Sequence, residues 1–478
     1  MNAQRNKLLR GLLAASAGLL VETPAFAAPL VPIAVDQCTD GTVASGTTLR
    51  MAIAQAAQAV DAQIVIQCKG RIDLNSSLQV VAPARQLDIV GPSTSPSDLV
   101  ISAGGANFAV LESNAQNSLS LSGVTITGSL GSPQACLVAH SGSLVLTNSE
   151  VSGCASSVSD STVTAKAAGI AVEAGQLSLI QSVVSGNTLT AKGNGRGAGI
   201  YASGAVMIDH SAVRDNVLNA GNYADGGGIY AMGGFSASFS TVSGNVVQSA
   251  TTFANGGGVF ASGTVAIDHS TLSGNVADLN SAAQFGRSGG PSTPSVAMLN
   301  STVASNAARY EQTMQVNAPL SVEFTTIARN RVAFLDSGAA GLNSSLPIVS
   351  IGSVFAENTA ADGTEDDVRS SAPGAPFGAG SNSNLVGASS QQQQLPPDTL
   401  TGCAALGPLQ NNGGPTQTMI PLPKSRARGA FFGATLPSAN DQRGLPRRVA
   451  ASDIGAVQVQ AGEVTDSIFV AAFEGLCG

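Results

Sequence analysis

Two Asp-His pairs, Asp209-His210 and Asp268-His269, follow the matching apolar phrases Val206-Met207-Ile208 and Val265-Ala266-Ile267. In a strand, successive side chains point to opposite faces, so inward Val206/Ile208 and Val265/Ile267 turn Asp209 and Asp268 outward. If the phrases are strands two coils apart in a stack, the carboxylates lie roughly 9.6 Å apart, at about 4.8 Å per strand. Inverting hydrolysis of a glycosidic bond wants an acid and a base roughly 6.5–9.5 Å apart, so this spacing permits that chemistry. The intervening coil offers only Ser238 at the same position, with no aromatic platform nearby. A copied repeat with an Asp–His hydrogen bond between strand and corner accounts for the same residues, and that structural reading is the preferred one. His140 stands alone and reads as structural, and Asp366-Asp367 lies in a Ser/Pro/Gly-rich stretch away from any strand phrase. No Cys/His spacing suggests a metal, and no cofactor is expected.

A second group of residues suits binding better than bond cleavage. Inserts at 188–195, 217–225 and 246–255 have similar lengths and precede glycine-rich phrases, so they should stack along one edge. They bring Lys192, Asn194, Tyr223, Asp225, Phe253 and Asn255 to that edge. Insertions repeated unit by unit map to one face of a solenoid, often the binding face. The expected partners are glycans or cell-surface components, although the absence of Trp and the count of 4 Tyr weaken a stacking sugar cleft.

What must position these residues is a repeat. Ser182-Val183-Val184-Ser185-Gly186-Asn187 recurs at 211–216, 240–245, 270–275, 301–306, 325–330 and 353–358, with Cys154 in the Asn slot upstream. The asparagines Asn187, Asn216, Asn245, Asn275, Asn306, Asn330 and Asn358 follow one another at 29, 29, 30, 31, 24 and 28 residues. Gly197-Ala198-Gly199-Ile200-Tyr201, Gly226-Gly227-Gly228-Ile229-Tyr230 and Gly256-Gly257-Gly258-Val259-Phe260 keep the same beat. Each unit holds three short apolar-alternating runs, too short for helices. Such a unit cannot bury its apolar face alone, whereas stacked copies can, which predicts an all-β parallel β-helix. Crossover preference makes it right-handed. The recurrent Asn fits a corner, where it tolerates left-handed backbone, bonds local backbone and can bond its copies as a ladder. The glycines read as backbone positions of positive φ or close approach; a phosphate loop would need a helix after them, and strand follows instead.

The ends and the composition fit that scaffold. An amphipathic helix over 48–57, with Leu49 and Ile53 on one face and Thr47 or Thr48 as cap, closes the N-terminal end. Only 11% of residues are charged while 43% are hydrophobic, which excludes a disordered chain and argues against a helical bundle. Arg5, Lys7 and Arg10, an apolar run over 11–21 and Ala25-Phe26-Ala27 form a signal-peptide pattern cleaved near Ala27. Without residues 1–27 the net charge moves from −8 to −10. That acidic balance speaks against nucleic acid and anionic lipid. No run reaches 18 apolar residues, so no helical transmembrane span is expected. Six cysteines in an exported chain suggest three disulfides; proximity favours Cys38–Cys68, Cys136–Cys154 and Cys403–Cys477 among 15 possible connectivities.

Three motifs near the C-terminus carry a resemblance. Asn411-Asn412-Gly413-Gly414-Pro415-Thr416-Gln417-Thr418, Asp441-Gln442-Arg443-Gly444-Leu445-Pro446-Arg447 and Ser452-Asp453-Ile454-Gly455-Ala456 together resemble the choice-of-anchor Q domain of secreted bacterial β-helix proteins. Met419 stands where that family usually has His, and Gln458 where it usually has Glu. Thr47-Thr48-Leu49-Arg50-Met51-Ala52 looks like a degenerate Cys-Ser-Leu-Arg-Glu-Ala start, and the glycine and asparagine repeats resemble passengers of polymorphic outer-membrane proteins. The resemblance implies export and a pectin-lyase-like solenoid, with no catalytic motif to transfer. Of the polygalacturonase-like motifs only an Asp-Asp is present, and no Asp cluster with an Arg base stands out.

The expected organisation is a signal peptide at 1–27, an N-terminal cap at 28–62 and coils at 63–358. Irregular coils follow at 359–402, a closing module at 403–460 and a tail at 461–478. The expected role is a non-catalytic, surface-exposed or extracellular, adhesin-like or structural one, for a monomer. The alternative is a polysaccharide lyase or inverting hydrolase on the same fold.

Overall fold

A computed structural model describes residues 32–463, apart from 60, 82–85, 115–117, 287–293, 335–338, 373 and 434. The leader pattern, Cys477 and the end of the tail lie outside the described residues. The chain is an all-β parallel β-solenoid of about 12 turns with one helix. That helix, Leu49–Ala56, buries Leu49, Ala52, Ile53 and Ala56, and the Thr48 hydroxyl caps it by accepting from the Met51 N–H at 3.3 Å.

Two compact units divide the described residues. The first comprises residues up to 236 plus 245–254, the second 237–244 plus everything from 255 onward. In the first unit the strands Ser143–Thr147, Leu177–Ile180 and Ala205–Asp209 pair in parallel, with Leu177 opposite Val206 and Leu179 opposite Ile208. In the second, Val265–Asp268, Val296–Leu299, Leu320–Glu323 and Ile348–Ile351 do the same. Leucine, isoleucine and valine from successive turns thus form continuous buried columns. Each turn holds more strands than the three read from the sequence. A turn of the first unit runs Ala205–Asp209, Ala212–Arg214, Val217–Ala220, Ala224–Asp225 and Ile229–Ala231. The extra pieces are two to four residues long, below the length at which alternation is visible.

Two corners explain the Ser-to-Asn phrase. The residue before each Ser or Thr of the phrase is left-handed even where it is not glycine: Gln181 and His210 in the first unit, Phe239, His269, Asn300 and Phe324 in the second. The serine then braces the corner. Ser182 Oγ donates to the Ile180 carbonyl at 2.9 Å and accepts from the Ser149 N–H of the preceding turn at 3.1 Å. At the next corner the asparagines form a buried ladder. In the first unit Asn187 Nδ2 donates to Asn216 Oδ1, and Asn216 Nδ2 to Asn245 Oδ1, both at 2.9 Å. In the second, Asn275, Asn306, Asn330 and Asn358 repeat the contact at 2.8–2.9 Å. The ladder dictates a glycine. A Cβ on Gly199 would sit 2.8 Å from Asn216 Nδ2 and 2.7 Å from the Gly228 carbonyl, so only glycine leaves room for the amide.

Disulfides join Cys38 to Cys68 and Cys136 to Cys154. Cys403 is also disulfide-bonded. Cys154 occupies the turn ahead of Asn187, and its N–H donates to Asn187 Oδ1 at 3.1 Å.

Within the second unit, the 403–460 segment lies on an outward row of threonines. Thr271 pairs with Thr302, and Thr302 with Thr326, along the sheet. Thr302 Oγ1 donates to Gln442 Oε1 at 2.6 Å, Gln442 Nε2 donates to Thr271 Oγ1 at 2.8 Å, and the Ala456 N–H to Thr326 Oγ1 at 3.0 Å. Arg447 reaches Asn300 Oδ1 at 2.9 Å and stands 3.9 Å over the Phe324 ring. The three C-terminal motifs meet in one knot. Asp441 accepts from the N–H groups of Arg443 and Gln458, Arg443 donates to the Asn412 carbonyl, and Arg447 donates to the Asp453 and Gly455 carbonyls.

Candidate functional site

The two Asp-His pairs sit at equivalent corners in different surroundings. In the first unit His210 Nδ1 pairs with Asp209 Oδ1 at 3.0 Å, and both side chains are nearly half exposed. In the second unit His269 Nδ1 pairs with Asp268 Oδ1 at 2.6 Å. His269 is buried, stacks on Phe239 at 4.5 Å, and its carbonyl accepts from Thr416 Oγ1 of the C-terminal segment. Each histidine ring is therefore committed to its own corner.

His140 is not isolated. In the first unit it lies 2.7 Å from Glu173 and 3.6 Å from Glu112, and Lys166 pairs with Glu173 at 2.9 Å. Burial opposes ionisation of Glu173, but hydrogen bonds from Lys166 and His140 hold its carboxyl below the ordinary range. Beside this cluster Tyr201 and Tyr230 stack at 5.6 Å, covered by Lys166 and Arg196 at 5.3 and 5.0 Å. Both tyrosines are buried, so this is a packed outer layer and not an open platform.

The insert edge of the first unit carries two large exposed aromatics, Tyr223 and Phe253, at 58% and 53% exposure. Each immediately precedes a two-residue strand, Ala224–Asp225 or Ala254–Asn255. Ser249 Oγ bonds the Asn222 carbonyl at 2.7 Å and Thr251 Oγ1 the Gly221 carbonyl at 2.8 Å, so the two inserts lie one on the other. Asn194 Oδ1 accepts from the Tyr223 N–H at 3.3 Å and props the insert from below. Lys192 leads into this edge from the Thr188–Ala191 strand, whereas Asn255 belongs to the second unit and accepts from Asn280 Nδ2 there at 3.5 Å.

A concavity lies elsewhere, in the second unit, at a place that the sequence did not single out. Two adjoining hollows of about 780 and 530 Å³ share Ala307, Arg331 and Thr359. Their floor is one outward row across parallel strands, Ala307 opposite Arg331 and Arg331 opposite Thr359. The inward partners Ala308, Val332 and Ala360 pack into the core beneath. Small outward residues make the floor shallow, and larger neighbours make the walls. On one side Arg329 Nε pairs with Glu357 at 2.6 Å while its other nitrogens donate to the Gly407 and Leu406 carbonyls. Glu365 faces the same hollow. Burial, then the neighbouring Glu357 charge, pushes the Glu365 carboxyl up. At the far end of the strands Tyr310 stacks on Phe334 at 5.7 Å, with Phe334 61% exposed and Arg309 over the Tyr310 ring at 5.0 Å.

Behind the hollow, Asp366 and Asp367 are buried. Asp367 ends the second unit's ladder, accepting from Asn358 Nδ2 at 2.8 Å and from the Ala388 N–H at 2.7 Å. Burial pushes its carboxyl up to about 7, against the pull of those donors. It is an anchoring residue, not one open to a ligand. Among the described residues no group of three or more His, Cys, Asp or Glu side chains converges as a metal site.

No family model matches the chain, and no curated protein matches it. A solved structure of pectate lyase Pel9A is similar in fold, with a TM-score of 0.45 and 13% identity over 90% of this chain and 98% of that chain.

Proposed function

We propose that this protein is an exported β-solenoid that holds glycans without cleaving them, an adhesin-like or structural role on or outside the cell. The observation that carries the reading is the second unit's groove. Its floor is Ala307, Arg331 and Thr359, its polar walls are Arg329, Glu357 and Glu365, and the exposed Phe334 ends the floor strand Arg331–Phe334 beyond the hollow. Sugar binding uses that combination: an aromatic face for the apolar side of a ring, and charged side chains for its hydroxyls. Export is supported by the disulfides, which persist in oxidising compartments. The knot formed by its three motifs supports reading 403–460 as a choice-of-anchor Q-like closing module.

A second location is favoured by one observation, the exposed Tyr223 and Phe253 on successive inserts of the first unit. A glycan array tests the role, and variants separate the locations. Phe334→Ala is expected to lower affinity about tenfold, the loss of one stacking contact. Tyr223→Ala with Phe253→Ala is expected to leave it within about twofold. Reducing-sugar and ultraviolet lyase assays on the bound glycans are expected to show no turnover. Steady product release would replace the holding role with the enzymatic one, and an empty array would remove both.

A further inference from the structure

We propose that the 403–460 segment carries a docking face for an anionic lipid surface, built from Arg426, Arg428 and Arg448 around the protruding side chains of Phe432 and Val449. The inference is independent of the glycan-holding reading and adds a means of attachment.

Charge is segregated along this chain. Residues 403–460 hold six of its 22 basic residues, Lys424, Arg426, Arg428, Arg443, Arg447 and Arg448, but two of its 30 acidic ones, Asp441 and Asp453. Both of those carboxylates are buried, and so are Arg443 and Arg447. Lys424, Arg426 and Arg448 are exposed, and Arg428 is half-buried. The segment's own accessible charge is therefore all positive, which the net −8 of the whole chain conceals.

The three arginines are fixed by carbonyls, which orient a guanidinium without cancelling its charge. Arg426 donates to the Thr401 carbonyl, Arg428 to the Pro421 carbonyl at 2.8 Å and Arg448 to the Val459 carbonyl at 2.9 Å. The buried Asp453 draws on Arg428, but its own oxygens accept from the Gly429 and Val459 N–H groups.

Neighbouring contacts place these arginines and the apolar pair on one face. Phe431 pairs antiparallel with Ser452, and both are buried, Phe431 against the Phe324 ring at 5.0 Å. Successive side chains alternate, so Phe432 and Ala451 turn outward side by side. Phe432 is 80% exposed, and Val449, two residues before Ala451, is 88% exposed. Arg426 and Arg428 line one hollow of about 400 Å³ with Phe432, and the charges of Arg428 and Arg448 repel each other. Asp398 shares that hollow and already accepts from the Ser383 N–H at 2.8 Å.

A bilayer suits this combination. Interfacial binding sets apolar side chains at the headgroup level and cations among anionic headgroups. Side chains as exposed as Phe432 and Val449 protrude, and a lipid surface receives them without a matching hollow. A nucleic acid would engage the arginines and leave Val449 in water.

The test is cosedimentation of the purified chain with vesicles of phosphatidylcholine, alone or mixed with phosphatidylglycerol. The proposal expects the anionic vesicles to bind about tenfold or more tightly, at roughly fivefold per arginine near the surface, and less as salt rises. Phe432→Ser with Val449→Ser is expected to weaken that binding about tenfold, and Arg426→Gln with Arg448→Gln to erase the preference for anionic lipid. Glutamine keeps an N–H for each carbonyl, and an unchanged melting temperature checks the fold of both variants. Equal binding to the two vesicles, binding to neither, or binding that neither variant changes overturns the proposal. So does self-association or nucleic-acid binding that the same variants abolish while the vesicles stay unbound. None of these outcomes alters the glycan array, so the two readings fail separately.

Discussion

At the residue scale the molecule is organised by side chains that bond to their own copies. Asn306 shows how much one of them carries. Its Oδ1 accepts from Asn275 Nδ2 and the Asn275 N–H, while its Nδ2 donates to Asn330 Oδ1 and the Leu272 carbonyl. Asn306→Ala leaves several of these groups buried without partners, each at a cost of roughly 1–3 kcal/mol, so a loss of about 3 kcal/mol or more is expected in urea unfolding. A change below about 1 kcal/mol would mean that the ladder is ornamental. Asp367 closes the same ladder with a titratable group. Burial lifts its folded carboxyl to about 7 from the 3.8 of an ordinary aspartate, so the folded state binds more protons between those limits. Its contribution is therefore present below about pH 4 and lost as pH rises through about 7. Melting temperatures of the wild type and Asp367→Asn from pH 4 to 8 check this. The part of the decline with rising pH that belongs to Asp367 is expected to vanish in the variant, and parallel curves would contradict it.

At the scale of elements, turns are legible where residue types repeat and hidden where they do not. Leu177/Leu179, Val206/Ile208, Val265/Ile267 and Val296/Met298 repeat type and interval, so their stacking could be read from the chain. The strands Ala224–Asp225 and Val276–Ala277 are two residues long and carry no pattern of their own. The groove was invisible for the same reason. Ala307, Arg331 and Thr359 each follow an asparagine of the repeat by one residue, and Tyr310 and Phe334 by four, so their stacking is implied by the phrase, but they share no residue type that would announce a hollow. The corners were half legible. Ser and Asn announce them, yet the left-handed residue before each Ser or Thr is Gln181, His210, Phe239, His269, Asn300 or Phe324, types of which only Asn commonly signals left-handed backbone. The C-terminal segment depends on a buried pair, Asp441 with Arg443 at 3.0 Å, both almost fully enclosed. Glu463 still pairs with Arg443, but Asp441→Ala takes the acceptor from the buried Arg443 and Gln458 N–H groups, so it is expected to cost about 1–3 kcal/mol and expose 403–460 to protease. Unchanged proteolysis would show that the segment is held mainly by its contacts with the threonine row.

For the whole molecule, scarcity of charge follows from the architecture. Inward columns take Leu, Ile and Val, corners take Ser, Asn and Gly, and the outward row under 403–460 takes Thr. Charges are left for the few places where chemistry or packing uses them: the His140 cluster, the Asp441–Arg443 knot and the groove of the second unit. The sequence reading sought function on the repeated edge, because repetition is what a sequence displays. The structure offers a better-formed hollow where repetition lapses, consistent with a scaffold that supports sites without specifying them. Hydrogen exchange with and without a bound oligosaccharide tests this most directly. Slowed exchange is predicted at 307–310, 331–334 and 359–360, with the inserts at 217–225 and 246–255 unchanged. Protection confined to those inserts, or no protection at a saturating concentration, would contradict it.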